Sequence, residues 1–234
     1  MKPIGLIGGL TYVSTIDYYR HLNELANEKL GGSETVEIIM HSVNFGVIKK
    51  LTEANDWKEL AVHMRKAATE LETAGAGCLL IGANTMHKIA DDVQAAIKIP
   101  VIHIAEAVAK EILKHGLKKV GLLGTKYTMQ LPFYSDHLAK YGIETIIPEQ
   151  DDVDYINYTI YNEFSKNIFT AEAKKNYLNI ISKLKARGAE GIIGGCTEIP
   201  ILLKQDDLDI PLFDTAKIHS AAGVEYVLSN KFIV

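Results

Sequence analysis

The sequence predicts an α/β protein of two pseudo-symmetric units, each an open parallel sheet with helices on both faces. Three observations carry this. Short apolar runs alternate with longer stretches of amphipathic spacing, the βαβα order that builds parallel sheets. The 234 residues suffice for two units, since about 100 residues each is an ordinary domain size. One stretch also occurs twice: Gly75-Ala-Gly-Cys-Leu-Leu-Ile-Gly-Ala-Asn-Thr85 and Gly188-Ala-Glu-Gly-Ile-Ile-Gly-Gly-Cys-Thr-Glu198 align without a gap.

Taken in order, Ile4–Gly8 reads as a buried strand, followed by a helix from about Ser14 to Lys29. Val36–Ser42 is a second strand. From Asp56 to Ala74, Leu60, Met64, Ala67, Ala68 and Leu71 recur at three- and four-residue spacing, which predicts a helix. Strand Cys78–Ile81, a helix from about Met86 and, after Pro100, strand Val101–Ile104 complete the first round. The second round has a helix from Ala105, strand Val120–Gly124, a helix near Phe133–Tyr141 and strand Glu144–Ile147. A helix over Ala171–Arg187, strands Ile192–Gly194 and Leu212–Asp214, and a last helix from Lys217 follow. The acidic run Glu149–Asp154 is read as a solvated loop.

The duplication extends beyond its opening motif. Ile4-Gly-Leu-Ile-Gly-Gly9 corresponds to Val120-Gly-Leu-Leu-Gly-Thr125, and Ile99-Pro-Val-Ile-His-Ile104 to Ile210-Pro-Leu-Phe-Asp-Thr215. By that symmetry the helix after each Ile-Pro strand crosses to the other half. The units are then 1–100 with 212–234, and 101–211. Two such sheets are expected to bind ligand between the carboxyl ends of their strands.

Composition narrows the function classes. Hydrophobic content of 47% and charged content of 23% are those of an ordinary globular chain. A net charge of −4 gives no footprint for nucleic acid or an anionic membrane. No apolar stretch approaches the roughly 20 residues that span a bilayer. Cys78 and Cys196 make no disulfide framework and have no metal-ligand partners at close spacing, so a reduced, cytoplasmic protein without a metal is expected.

The chemistry-bearing residues cluster at strand-to-helix turns. Cys196 lies between a strand end and a predicted helix start, where backbone amides and the helix dipole favour thiolate. A buried structural cysteine fits the same position. The equivalent strand end carries Asn84-Thr85, polar residues with no packing reason to be there, and this favours function for Cys196. Cys78 opens a strand and is read as core. Asn84, Thr85, Thr125 and Thr197 offer donors suited to a carboxylate or phosphate, although Asn and Thr also serve as plain helix caps. Gly8-Gly9 lacks the full dinucleotide fingerprint. His87 and His219 fit structural roles, and Lys166 reads from its context as a solvated lysine.

Several runs resemble the cofactor-independent aspartate/glutamate racemase family: Ile4-Gly-Leu-Ile-Gly-Gly-Leu10, Asp17-Tyr-Tyr-Arg20, Ala83-Asn-Thr-Met-His-Lys88, Gly194-Gly-Cys-Thr-Glu-Ile-Pro200, Phe213-Asp-Thr215 and Ile218-His219. The Asn-Thr-Met-His run is most similar to the aspartate branch. The resemblance implies two Rossmann-like halves with the active site between them, no cofactor, a small acidic amino acid as substrate, and a homodimer. It also implies two cysteines that exchange the Cα proton on opposite faces, of which Cys196 matches the second. Asn84, Thr85 and Thr197 resemble the donors that hold the α-carboxylate. Lys166 matches a lysine that meets the side-chain carboxylate. Leu10, Thr125 and Glu198 join the substrate-binding set, Glu198 standing where glutamate racemases have histidine.

Position 83 departs from the pattern, because a methyl group neither takes nor gives a proton. Three readings follow: an engineered alanine, a one-thiol racemase, or a single-cysteine decarboxylase or isomerase resembling the arylmalonate decarboxylases. A non-catalytic amino-acid binder that kept the cleft is a fourth.

Overall fold

The computed structural model describes residues 1–229 and divides into two compact units, 1–103 with 219–229 and 104–218. The first unit begins with β1 (Ile4–Gly8), α1 (Tyr12–Leu30) and β2 (Ile38–Ser42). It continues with α2 (Phe45–Glu53), α3 (Trp57–Thr73), β3 (Cys78–Ile81), a 3-10 helix (Thr85–Ile89) and α4 (Ala90–Gln94). The second holds α5 (Ile104–Lys114), β4 (Lys119–Gly124), α6 (Lys126–Gln130), α7 (Pro132–Ala139) and β5 (Glu144–Ile146). Next come α8 (Gln150–Asn162), a 3-10 helix (Phe164–Lys166), α9 (Ala171–Ala186), β6 (Gly191–Gly195) and α10 (Ile199–Leu202). A 3-10 turn (Gln205–Asp207) leads to β7 (Leu212–Asp214), and α11 (Thr215–Ser229) leaves the second unit at its first turn and finishes the first.

Both sheets are parallel and repeat one topology. The first runs β2-β1-β3 and the second β5-β4-β6-β7. A single parallel bridge from Leu79 to Val101 takes the place that β7 holds beside β6. Central strands have apolar side chains on both faces, as a sheet covered on both sides requires: β1, β3 and β6 are buried throughout. α3 shows how an element is specified. Asp56 accepts a hydrogen bond from Glu59 N at 3.0 Å as its cap, and Leu60, Met64, Ala67, Ala68 and Leu71 form the buried stripe. The second core gathers α5, α8 and α9 against β4 and β6, with Phe164 and Tyr177 in tilted contact at 5.6 Å.

The structure departs from the sequence reading in four places. The run at 149–154 is not a loop: Glu149 stands at the N-cap position of α8 without a side-chain cap bond, and Asp151 and Asp152 occupy its first turn, where acidic groups suit the helix dipole. α2, capped by Asn44, had no sequence counterpart. The strand expected over 101–104 is reduced to the bridge at Val101, because Ile104 already opens α5. The unit boundaries fall at 103/104 and 218/219 rather than near 100 and 212, since β7 pairs with β6 and holds 212–214 in the second sheet. No described helix is long and apolar enough to cross a membrane.

Candidate active site

In parallel sheets the open coordination sites lie at the carboxyl ends of the strands, and each unit gathers polar residues there. In the first unit, Gly8 pairs with Ser42, and Gly82 N donates to Ile7 O at 2.9 Å, which aligns the exits of β1, β2 and β3. Three turns leave this edge: Gly9-Leu10-Thr11, Val43-Asn44 and Ala83-Asn84-Thr85. Gly9 is obligatory in the first. Its φ is +74°, and a Cβ there would overlap the Val43 carbonyl. Its N–H donates to Thr15 Oγ1 at 2.8 Å. Thr11 caps α1 through Ser14 N at 3.1 Å. Asn84 precedes the 3-10 helix, and its buried side chain makes no capping hydrogen bond there.

In the second unit, β4 and β6 end in register at Gly124 and Gly195 and place Thr125 beside Cys196. A Cβ at Gly195 would lie 2.7 Å from Leu123 O, so the strand immediately before the thiol must be bare for the two exits to approach. Thr125 caps α6 through Thr128 N at 3.3 Å and touches the Thr128 hydroxyl at 3.2 Å. Cys196 donates its thiol hydrogen to Glu198 Oε2 at 2.9 Å, and the Thr197 hydroxyl donates to the same oxygen at 2.9 Å. All three residues are buried.

This cluster reverses one electrostatic expectation. The Cys196 thiol is held well above its usual range, first by burial and then by the neighbouring Glu198 carboxylate. Helix-start stabilisation does not win, because α10 has only four residues. Cys196 therefore rests as a thiol with a carboxylate already accepting its hydrogen. Cys78 is the contrast. Burial alone pushes it up to about 12 and no side chain takes its proton, in keeping with a core position at the start of β3.

The remaining sequence-selected residues are distributed unevenly. Leu10, Asn84 and Thr85 share the edge of the first unit with Ala83, which packs against that unit's core. Thr125, Thr197 and Glu198 share the edge of the second with Cys196. The Thr197 hydroxyl gives its hydrogen to Glu198, so its side chain does not donate elsewhere in this arrangement. Lys166 is not at a strand end; it closes the 3-10 helix before the left-handed residue Asn167 and is exposed. Sequence reasoning overlooked Asn44, which caps α2 through Gly46 N at 2.9 Å on the same edge as Ala83. It also overlooked Tyr177, whose buried hydroxyl lies 2.8 Å from Thr159 Oγ1. The run His41-Ser-Val-Asn44, in which polar residues carry the end of β2 into its turn, was the available signal for the first.

The fold and these edges define a class: a duplicated parallel α/β protein with a buried thiol at a strand end of its second repeat. The chain belongs to the Asp/Glu/hydantoin racemase family, whose model matches residues 7–223. It is similar to a Yersinia pestis protein provisionally described as an Asp/Glu racemase, at 44% identity, TM-score 0.89, and coverage of 97% of this chain and 100% of that one. An aspartate racemase homologue from Pyrococcus horikoshii OT3 is 37% identical, with TM-score 0.84 and the same coverage. The broad specificity amino-acid racemase RacX of Bacillus subtilis is 26% identical over 181 residues, 74% of this chain and 75% of that protein. These relatives are thus described as amino-acid racemases or homologues of one, and racemases are isomerases.

Proposed function

We propose that this chain is a cofactor-independent racemase of an acidic amino acid, aspartate or glutamate, in which Cys196 is the sole thiol acting at Cα. The observation that carries this is the 2.9 Å hydrogen bond from Cys196 Sγ to Glu198 Oε2. A thiol is a poor base until its proton leaves, and here the acceptor is in place. The thiol proton passes to Glu198, giving a thiolate and a neutral carboxyl group. The thiolate then takes the α-proton, and the electron pair left on Cα delocalises into the substrate carboxylate. Donors at the strand-end turns, among them Asn84 and Thr85, stabilise the resulting charge. Lys166, exposed and cationic, is assigned to the substrate's side-chain carboxylate.

Return of the proton from Cys196 regenerates the starting enantiomer. Inversion needs a second proton donor; Ala83, the residue equivalent to Cys196 in the first repeat, has only a methyl group, so water is the proposed donor. The reading therefore requires exchange to outrun inversion. Proton NMR of L- and D-aspartate and glutamate in D2O should show loss of one enantiomer's α-proton signal well before the optical rotation decays. Cys196→Ser should abolish that loss and Cys78→Ser should not. Exchange from neither enantiomer defeats the proposal. In that event, calorimetric aspartate binding that survives in Cys196→Ser marks a binder, and carbon dioxide release from an arylmalonate marks a decarboxylase. A homodimer is proposed on family likeness, and sedimentation tests it.

A further inference from the structure

The buried histidines of the first unit take no part in that chemistry, yet they converge on its turn. His87 Nδ1 lies 2.9 Å from Ala83 O. A carbonyl only accepts, so Nδ1 carries the hydrogen. The His87 ring meets the His219 ring edge-on at 5.4 Å and the His103 ring at 4.8 Å. His219 is held at both nitrogens: Nε2–H donates to Ile102 O at 2.6 Å, and Nδ1 accepts from the Tyr18 hydroxyl at 2.8 Å. Tyr18 and His219 are fully buried and His87 nearly so. This chain of contacts runs from α1 and α11 to the residue before Asn84.

The peptide joining Ala83 to Asn84 is trans, as are all described peptides. In a planar trans peptide the C=O and N–H point to opposite sides. Holding the Ala83 oxygen toward the buried ring therefore turns the Asn84 N–H to the side away from that ring. We propose that His87 is a positioning residue that aims the Asn84 amide at the substrate's α-carboxylate, with His219 and Tyr18 fixing the ring that does so. This assigns a specific backbone donor to a carboxylate the sequence left to side chains, and it rests on the acidic amino-acid reading above.

The test compares His87→Leu, which removes the donor, with His87→Asn, which keeps one. Asparagine can bridge the same spacing, since Asn23 and Asn162 each donate to the carbonyl four residues earlier, at 2.7 and 3.0 Å. Calorimetric Kd for L-aspartate is the primary readout, because it does not depend on turnover; KM and kcat for α-proton exchange are the second. Misaiming one hydrogen bond to a charged group should weaken binding about tenfold. His87→Leu should raise Kd and KM by that factor with kcat within about threefold, and His87→Asn should restore both. Should His87→Leu fail to fold, Tyr18→Phe should still raise Kd by about threefold. A folded His87→Leu with unchanged Kd overturns the proposal, as does an asparagine variant no better than leucine. Wild-type protein that binds aspartate without exchanging it defeats the racemase reading alone and leaves the Kd comparison decisive.

Discussion

Ala83 and Cys196 stand at the same position of one repeated turn, at the exits of equivalent strands in two sheets of the same topology. Around Cys196 the second unit sets a thiol, a carboxylate two residues on that accepts its hydrogen, and a threonine hydroxyl that donates to the same carboxylate oxygen. Around Ala83 the first unit sets a methyl group and a histidine ring hydrogen-bonded to the Ala83 carbonyl. The comparison teaches that backbone placement and proton chemistry are separable. A strand exit supplies the position, and a few side chains decide whether it binds or reacts.

The strongest way to break the asymmetry is to erase it. Ala83→Cys should raise the racemisation rate by about 10²–10⁴, the range associated with one positioned general acid or base, measured by polarimetry at constant enzyme concentration. An unchanged rate would mean that position 83 is not the missing partner. Next, Glu198→Gln should slow α-proton exchange about 10²-fold at neutral pH. The same change should lower the pH at which thiolate absorbance rises, because the carboxylate that holds the Cys196 thiol up is gone. A slower enzyme with an unmoved thiolate titration would separate Glu198 from the thiol.

The units should also part company in acid. Burial drives His219 down to about 3 from an ordinary value near 6.5. Its folded-state value is depressed, so the unfolded chain binds the extra proton between those limits. Stability from this group is intact above about pH 6.5 and is lost progressively as pH falls toward 3, by several kcal/mol, on the order of 4. The sole tryptophan, Trp57, lies in the first unit. Its fluorescence should therefore change on acidification before the far-ultraviolet circular dichroism does, and His219→Gln should remove the lag. A smaller effect belongs to the second unit. The Tyr134 hydroxyl is fully buried and has no hydrogen-bond partner among the described residues, so Tyr134→Phe should stabilise the protein by about 1 kcal/mol in urea denaturation. A loss of stability would reveal a bridging water at that hydroxyl.

The sheets, their duplication and the polar make-up of both turns were legible because each rests on local sequence: apolar runs, three- to four-residue spacing, and a repeat with Asn84-Thr85 set against Cys196-Thr197. Boundaries were less legible. Nothing around Glu149–Asp154 distinguishes a solvated acidic loop from the start of a helix until the apolar face of α8 meets its core. The state of the thiol was misjudged for a related reason. A helix start in sequence suggests a dipole, but the length of α10 and the direction of the Glu198 side chain are tertiary outcomes. The link from His87 to His219, with Tyr18 behind it, spans 201 residues of sequence between its hydrogen-bonded ends, and no local pattern encodes such a pairing.

The two units also mature on different schedules. The second is one unbroken segment, whereas the first needs residues from both sides of it. During synthesis the second unit has all its strands once β7 has emerged. The first must keep its sheet waiting for α11, which brings His219 to Ile102 and sets Gly223 against Leu80. Assembly thus runs opposite to the usual N-to-C order of domain completion. The thiol-bearing unit is the earlier to close, and the turn at Asn84 gains its final brace only when translation has passed residue 219.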